Sequence, residues 1–461
     1  MHVETEAKAK PVLRPEYCKG CGRCIEACAR HCIEAGSEIL PATGLVPVKL
    51  HAESCNACAL CIDACPEPYG LLDGGAARAL EAAEPRVGSA PPADVPDARR
   101  ELPAARATFM KGAHAGAVGA LLAGCRHFFG YPITPSTEGA ELMAKLLPEL
   151  GGSFLQAVSE VAAVNMMYGC GGAGRRAMTF TSSPGFSLML EGLSYMIGAE
   201  LPGVFVNVMR GGPGLGNIAP EQADIKLACR GLGHGHTHAI VLAPSTPQEM
   251  LDLTMLAFEL SFRYRNPVVI LADGYLAQMT GRVTLPAALV EPGLPAWAVS
   301  GDAAHRQNLV ASIWLNEADL EAHNRMLSAK YARMEAEARA ELHRCDDAEV
   351  VVVACNTPAR MAKGAVRALR DEGIRAGLFR PQTVWPFPAK LLLPALARAR
   401  ALVVVEASDG QLEDELRLAL SHAGAAAPPI HHVRRMGGVL PSQREIVSGV
   451  RAALGREEAR A

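Results

Sequence analysis

Aromatic side chains make up only 5% of the 461 residues, and no apolar run approaches the roughly 18 residues that a bilayer-spanning helix needs. A membrane span is therefore not expected. No long basic run or basic stripe is present and the formal charge is −3, so the electrostatic footprint of a nucleic-acid binder is missing. Neither a P-loop nor a G-x-G-x-x-G turn opening a helix occurs, which removes two phosphate cradles that sequence can reveal. The opening stretch MHVETEAKAK has no apolar core, so a secretory leader is not expected. These absences together point to a soluble, cytoplasmic chain whose thiols stay reduced.

Cysteine, in contrast, is plentiful at one end. Cys18, Cys21, Cys24 and Cys28 form one run and Cys55, Cys58, Cys61 and Cys65 a second, the last followed by Pro66. This is the spacing of a two-[4Fe-4S] protein. Three cysteines of each C-x2-C-x2-C run wrap one cluster while the fourth reaches the other. The ligand sets are thus expected to interleave: Cys18, Cys21, Cys24 with Cys65, and Cys55, Cys58, Cys61 with Cys28. Small residues between them (Gly20, Gly22, Ala57, Ala59) would let backbone amides approach the sulfurs. Disulfides would need an oxidising compartment, and zinc knuckles pair two Cys-x2-Cys units across a longer gap. Two features depart from the pattern: Ala29 follows Cys28 where proline is usual, and Cys32 is a fifth cysteine, read as a small core side chain. Cys125, Cys170, Cys229, Cys345 and Cys355 are scattered singly and read the same way.

The length allows about three domains. A two-cluster module is expected over 1–75 and an Ala/Pro-rich linker over 76–107, where EAAEPRVGSAPPADVPDARRELPAARA has no apolar period. Two α/β domains are expected over 108–297 and 298–461. The buried parallel strands of the first are read at Arg176–Thr181, Val204–Met209, Ala239–Ala243 and Val268–Ala272, separated by helices. Those of the second are Glu349–Cys355, Ala376–Arg380 and Ala401–Glu406, after a charged helical lead-in from about Leu309 to Arg344. Such alternation implies doubly wound parallel sheets.

Ligands of open parallel sheets bind at the carboxyl ends of strands, and four segments there stand out. In Gly130-Tyr131-Pro132-Ile133-Thr134-Pro135-Ser136, two prolines restrict the backbone and Ser136 or Thr137 suits an N-cap. A carboxylate site and an ordinary strand-to-helix turn both fit. Glu160 opens an otherwise apolar helix; a buried carboxylate without a partner is costly, so either it is exposed as a helix-dipole glutamate or a ligand satisfies it. Thr181-Ser182-Ser183-Pro184-Gly185-Phe186 precedes a helix. Arg210 opens the turn Gly211-Gly212-Pro213-Gly214-Leu215-Gly216, where it could grip a carboxylate bidentately or simply face solvent.

From about Ala107 onward, GYPITPSTE, TSSPGFSLM, NVMRGGPGLGN and RMGGVLPS resemble motifs of the α-type subunit of the 2-oxoacid:ferredoxin oxidoreductases. GGPGLGNIAPEQAD and Arg263-Tyr264-Arg265-Asn266-Pro267-Val268 are similar to the 2-oxoisovalerate, or branched-chain, branch. The N-terminal part is similar to the family's two-cluster δ subunit, here fused to α. The resemblance implies a pyrimidine-type thiamin-diphosphate-binding domain, a transketolase C-terminal-like domain and a small α+β ferredoxin domain. It implies oxidative decarboxylation of a 2-oxoacid with coenzyme A to acyl-CoA, carbon dioxide and reduced ferredoxin. By the same likeness Glu160 matches the glutamate that binds N1′ of the thiamin aminopyrimidine, and Thr134 and Arg210 match substrate-binding residues.

Some family features are altered. The magnesium-binding Gly-Asp-Gly stretch is replaced by Ala272-Asp273-Gly274 without its downstream asparagine, so the diphosphate and magnesium are expected on a β subunit. A γ subunit and ferredoxin are implied as further partners. Gly112-Ala113-His114-Ala115 stands where Gly-Asn-Glu-Ala is usual, which leaves an aryl or other 2-oxoacid open as substrate. A non-catalytic electron carrier with an α/β docking part is also left open. His234, His236 and His238 could share a strand face, but no carboxylate or cysteine in that stretch completes a metal site. Glu335 to Glu341 reads as a solvated helix face.

Overall fold

The computed structural model describes residues 9–41, 43–83, 92–103, 107–302 and 304–456, and none of its helices is long and apolar enough to cross a membrane. The described chain forms two compact units, the first drawn from residues up to 91 with Gly301–Gln307, the second from Pro92–Ser300 and Asn308–Ala461.

The first unit is a small α+β module with a near-repeated half. Pro11–Leu13 pairs antiparallel with Leu71–Asp73, and Ile33–Glu34 with Lys49–Leu50. Helices Arg23–Ala27 and Leu60–Ala64 each follow a residue in the left-handed region, Gly22 (φ 78°) and Ala59 (φ 68°). An alanine there costs about 1 kcal/mol, so the second run adopts the bend of the first without glycine's freedom. The core is made largely of Cys24, Cys28, Cys32, Ile33, Val48, Cys61 and Leu71, and Cys32 is only 1% exposed.

The second unit holds two sheets. Six parallel strands run in the order Ile240–Leu242, Pro267–Asp273, Gly203–Met209, Ala177–Thr181, His127–Gly130 and Ser153–Gln156. The four inner strands from Ile240 to Thr181 are buried throughout, which is why they read as continuous apolar runs. The second sheet is Ala340–His343, Ala376–Pro381, Val350–Val353, Ala401–Glu406 and Ile430–Arg434, parallel except at the first. Thr383–Trp385, from the C-terminal part, adds an antiparallel seventh strand beside Ile240–Leu242. A buried network fastens the two parts: Gln222 Nε2 donates to the Cys355 carbonyl (3.3 Å) and to Asn356 Oδ1 (3.1 Å), and Asn356 Nδ2 donates to the carbonyls of Pro244 and Leu271 (3.0 and 2.8 Å).

Three expectations are corrected. The stretch 76–107 is not a free tether wherever it is described: it begins within helix Gly74–Ala83, and Ala98–Glu101 pairs antiparallel with Ala288–Glu291. Asp94 and Asp97 accept from the amides of Ala296 (2.7 Å) and Gly293 (3.0 Å), and Asp97 pairs with the buried Arg176. Main-chain pairing of an exposed strand needs no apolar period, so composition concealed it; residues 84–91 and 104–106 lie outside the described set. Secondly, the helical lead-in is confined to Glu317–Met334, started by Asn316, whose side chain accepts from the amides of Ala318 and Asp319. Thirdly, Glu335–Glu341 is no solvated helix face but a 3-10 turn running toward strand Ala340–His343. Glu337 is buried and held by Arg263, Tyr264 and Arg339, and Glu341 is held by Lys363 and Arg380.

His234, His236 and His238 do not converge on a metal; among the described residues no three metal-ligating side chains do. His238 stacks on Trp385 with ring centroids 4.5 Å apart and meets Tyr331 edge-on. Burial pushes the His238 imidazole down to about 4. The unfolded chain therefore binds the extra proton between about pH 6.5 and 4, and stability falls as pH falls through that window. His238→Phe, which preserves stacking, is expected to flatten this acid limb in denaturant titrations run from pH 7 to 4.

Candidate functional site

The carboxyl ends of the adjacent strands Ser153–Gln156, His127–Gly130, Ala177–Thr181, Gly203–Met209 and Pro267–Asp273 lie along one edge of the first sheet, and each feeds one of the singled-out segments. Glu160 is the first residue of helix Glu160–Gly172, whose N-cap Ser159 accepts from the Ala162 amide at 3.2 Å. It is only 4% exposed, which decides against the exposed helix-dipole alternative. Among the described residues no donor reaches its carboxylate. Gly185 lies directly against it: a Cβ there would stand 2.4 Å from both Glu160 Oε1 and Thr181 Oγ1. The Thr181 hydroxyl is itself buried without a hydrogen-bond partner.

Arg210 follows strand Gly203–Met209 and is 8% exposed. Its Nη1 donates to the Thr134 carbonyl (2.7 Å) and its Nη2 to the Leu215 carbonyl (3.1 Å), while the buried Nε has no partner. No carboxylate pairs with it among the described residues. Thr134 and Arg210 are thus brought together. Ser136 does not supply the hydroxyl cap that the sequence suggests; it donates to the Ile133 carbonyl at 2.7 Å instead.

Sequence reasoning missed the residues behind Arg210. Ser183 accepts from the Arg210 amide (3.0 Å) and donates to Asp224 Oδ2 (2.5 Å), and Asp224 also accepts from Asn207 Nδ2 (2.8 Å). Burial holds the Asp224 carboxyl above its ordinary range, opposed by those two hydrogen bonds. They sit inside the TSSPGF and EQAD segments, where neither was singled out. The C-terminal RMGGVLPS stretch packs here too: Asn217 Nδ2 donates to the Gly437 carbonyl (2.9 Å), and Glu221 accepts from Gly212 N (2.8 Å) and Gly437 N (3.4 Å).

Asp273 is unsuited to magnesium. Its carboxylate caps helix Gly274–Gln278 through the Leu276 amide (2.9 Å) and accepts from the Thr357 amide (2.9 Å) and hydroxyl (2.8 Å).

In the first unit, two small cavities are each bordered by four cysteines of the runs. One has Cys18, Cys21, Cys24 and Cys65; the other has Cys28, Cys55, Cys58 and Cys61, with Cys32 beside them. Backbone amides aim at the sulfurs, Cys32 N to Cys28 Sγ and Ala57 N to Cys55 Sγ, both 3.3 Å. Burial, reinforced by Cys28 and Cys55, pushes the Cys61 thiol up to about 11. Burial and then Cys18 and Cys65 push Cys24 up. Thiolates so placed require compensating positive charge. All the described cysteines are free of disulfides.

An open α/β sheet with a buried carboxylate and arginine at its strand ends, joined to a cysteine-lined α+β module, defines a redox enzyme subunit of the thiamin-dependent fold. Residues 118–353 match the family described as pyruvate flavodoxin/ferredoxin oxidoreductase, thiamine diphosphate-binding, and residues 348–446 match pyruvate:ferredoxin oxidoreductase core domain II. The chain belongs to the 2-oxoacid:ferredoxin oxidoreductase family, as an α-type subunit carrying a ferredoxin-type module. It is 46% identical over 349 residues to ketoisovalerate oxidoreductase subunit VorB of Methanothermobacter thermautotrophicus, covering 75% of this chain and 97% of that one. To the 2-oxoglutarate synthase subunit KorA of the same organism it is 33% identical over 371 residues, covering 74% and 97%. Among solved structures, 2-oxoglutarate:ferredoxin oxidoreductase from Magnetococcus marinus, with 2-oxoglutarate, coenzyme A and succinyl-CoA bound, superposes with a TM-score of 0.68 at 26% identity, over 76% of this chain and 65% of that one. A split-gene transketolase shares the fold, with a TM-score of 0.50 at 16% identity, over 76% and 99%.

Gly185→Ala tests the close approach at Glu160. Overpacking by one methyl costs about 1–3 kcal/mol, spent here on displacing Glu160 or Thr181. Turnover of the assembled enzyme is expected to fall at least about tenfold with the far-ultraviolet circular dichroism of the chain unchanged.

Proposed function

We propose that this chain, with a β subunit, catalyses coenzyme A-dependent oxidative decarboxylation of a branched-chain 2-oxoacid of the 3-methyl-2-oxobutanoate type and delivers the electrons to ferredoxin. The observation that carries the reading is Arg210: a buried guanidinium balanced only by carbonyl dipoles, with a free Nε, keeps net positive charge for an incoming carboxylate. Thr134, at the other end of that contact, leaves its side chain exposed to join in binding. Leu215 and Ile218 on the same loop are exposed and apolar, which suits an alkyl side chain better than a second carboxylate. The 46% identity to a ketoisovalerate oxidoreductase subunit supports the same choice.

The groups at Glu160 suit thiamin diphosphate: a carboxylate with no donor among the described residues, the orphaned Thr181 hydroxyl and the bare Cα of Gly185 lie against one another. When bound, it supplies the electron sink for loss of carbon dioxide. Glu160 would hydrogen-bond N1′ of the aminopyrimidine, and Gly185 lets the carboxylate sit where a Cβ would displace it. With Asp273 already committed, magnesium and the diphosphate belong on the β subunit. Exposed Val158 and Val161 beside Glu160, and Leu188 on helix Ser183–Gly198, offer that subunit an apolar seat. The relatives are subunits of multi-subunit enzymes, and we assign a γ subunit to the assembly as well. The two cysteine cavities take one [4Fe-4S] cluster each, Cys18, Cys21, Cys24 and Cys65 holding one and Cys55, Cys58, Cys61 and Cys28 the other. Free thiols in such numbers suit the cytoplasm.

The assembled complex is expected to reduce ferredoxin or viologen with 3-methyl-2-oxobutanoate and coenzyme A, faster than with aryl 2-oxoacids or 2-oxoglutarate. Failure of every 2-oxoacid sinks the assignment, and an aryl preference moves only the substrate. Glu160→Gln is expected to lower turnover at least about a hundredfold with iron content intact, whereas a docking module for an electron carrier would lose nothing. Cys65→Ser and Cys28→Ser should each remove about half the iron and abolish different electron paramagnetic resonance signals; loss of the same signal in both would refute the interleaved ligation.

A further inference from the structure

Away from the strand ends bearing Glu160 and Arg210, the second unit contains an open cavity of about 510 Å³. It lies between the start of helix Pro247–Tyr264, in the first α/β part, and helix Asn356–Asp371 with strand Ala376–Pro381, in the second. Four cations border it, Arg360, Lys363, Arg367 and Arg380, against two carboxylates, Glu249 and Glu341. The internal pairing of these groups is specific. Arg380, buried at 5% exposure, binds Glu249 through both Nη atoms (3.0 and 2.5 Å) and Glu341 through Nε (2.8 Å), and Lys363 completes the set on Glu341 at 2.8 Å. Two cations and two carboxylates therefore cancel.

Arg360 and Arg367 remain. They lie seven residues apart, two turns along one helix face with Lys363 between them, and neither has a carboxylate partner among the described residues. The one recorded bond of Arg360 is to the Ser245 carbonyl at 3.3 Å. His343, on the neighbouring strand, is held below its ordinary range by burial and then by the charges of Lys363 and Arg344, opposed by Glu341 and aided by Arg367. Two guanidiniums on one helix face, with no carboxylate partner among the described residues and bordering an open cavity large enough for a nucleotide's phosphates, match an oligoanion. The lining has no aromatic ring on which a base could stack. Recognition would thus rest on phosphates and not on a base.

We infer that this cavity is a second ligand site, separate from the 2-oxoacid site, which takes a pyrophosphate-like group, either free or as part of a nucleotide or coenzyme A. Bound there, the ligand bridges the two α/β parts, and it would stabilise the chain by mass action.

The test is calorimetric titration of the full chain, alone and in its assembled enzyme, with pyrophosphate, ATP and coenzyme A at low ionic strength, repeated with Arg360→Ala/Arg367→Ala. Saturable pyrophosphate binding that weakens as salt rises and drops at least about tenfold in the double variant is the expected result. Competition by pyrophosphate against ATP or coenzyme A identifies the phosphates as the recognised part in either source. Both arginines are exposed and remote from Glu160 and Arg210, so the variant should keep its unliganded melting temperature and its turnover in the absence of added pyrophosphate. The site is refuted if none of the three probes binds at millimolar concentration, or if binding is indifferent to the double variant.

Discussion

A buried guanidinium with no carboxylate to balance it among the described residues is the constraint around which the second unit is arranged. Arg210 is nine-tenths removed from solvent, and unpaired burial of such a charge is costly. The fold meets that cost with dipoles: the Thr134 carbonyl from one strand end, the Leu215 carbonyl from the glycine-rich turn, and a Ser183–Asp224–Asn207 relay that fixes the backbone from which the side chain projects. Dipoles satisfy hydrogen bonds without cancelling charge. The arginine therefore stays electrophilic toward an anion, which a salt bridge would have quenched. Two strand ends, a loop and the C-terminal Gly437-Gly438 turn have to converge for this, and that convergence explains why motifs spread over three hundred residues belong to one site.

The same logic separates carboxylates that hold the structure from the one left free. Asp273 and Glu406 are as deeply buried as Glu160, yet each is saturated. Asp273 takes donors from Leu276 and Thr357, and Glu406 takes Ser408 and the amides of Leu412 and Glu413. Glu160 alone of the three lacks a donor among the described residues, and the residue facing it is a glycine whose Cβ would collide with it. A buried acceptor left open beside a space kept clear by glycine is an arrangement that a ligand completes.

What the sequence made legible follows from how each feature is encoded. The cysteine runs specify chemistry by spacing, and the four buried inner strands are mostly apolar, so both could be read directly. Ser153–Gln156 and Ile430–Arg434 are half-exposed edge strands without such a run. Ala98–Glu101 is fully exposed and held by main-chain bonds, which leave no pattern in side-chain composition. For the site, Glu160, Thr134 and Arg210 are visible by type and position, but an interaction such as Arg210 with the Thr134 carbonyl involves a backbone atom common to every residue. Ser183 and Asp224 act on another residue and not on a ligand, so their identities announced nothing. Glu335–Glu341 misled for the converse reason: a charged run looks solvated until three-dimensional partners, here Arg263 and Arg339, bury it.

Burial at the site is also unfinished within this chain. Glu160 is 4% exposed while its neighbours Val158 and Val161 are 88% and 45% exposed, and Leu215 beside the Arg210 contact is 81% exposed. An apolar rim around polar groups is costly in water and becomes favourable once covered. Covering it would lower the local dielectric, which strengthens the attraction of Arg210 for a carboxylate. It would also keep water from the open carboxylate of Glu160. The incompleteness of the rim and the incompleteness of the polar contacts would thus share one remedy under the proposed assembly, a second polypeptide covering the site, and Asp273, already saturated by Leu276 and Thr357, leaves a metal to be held from that side.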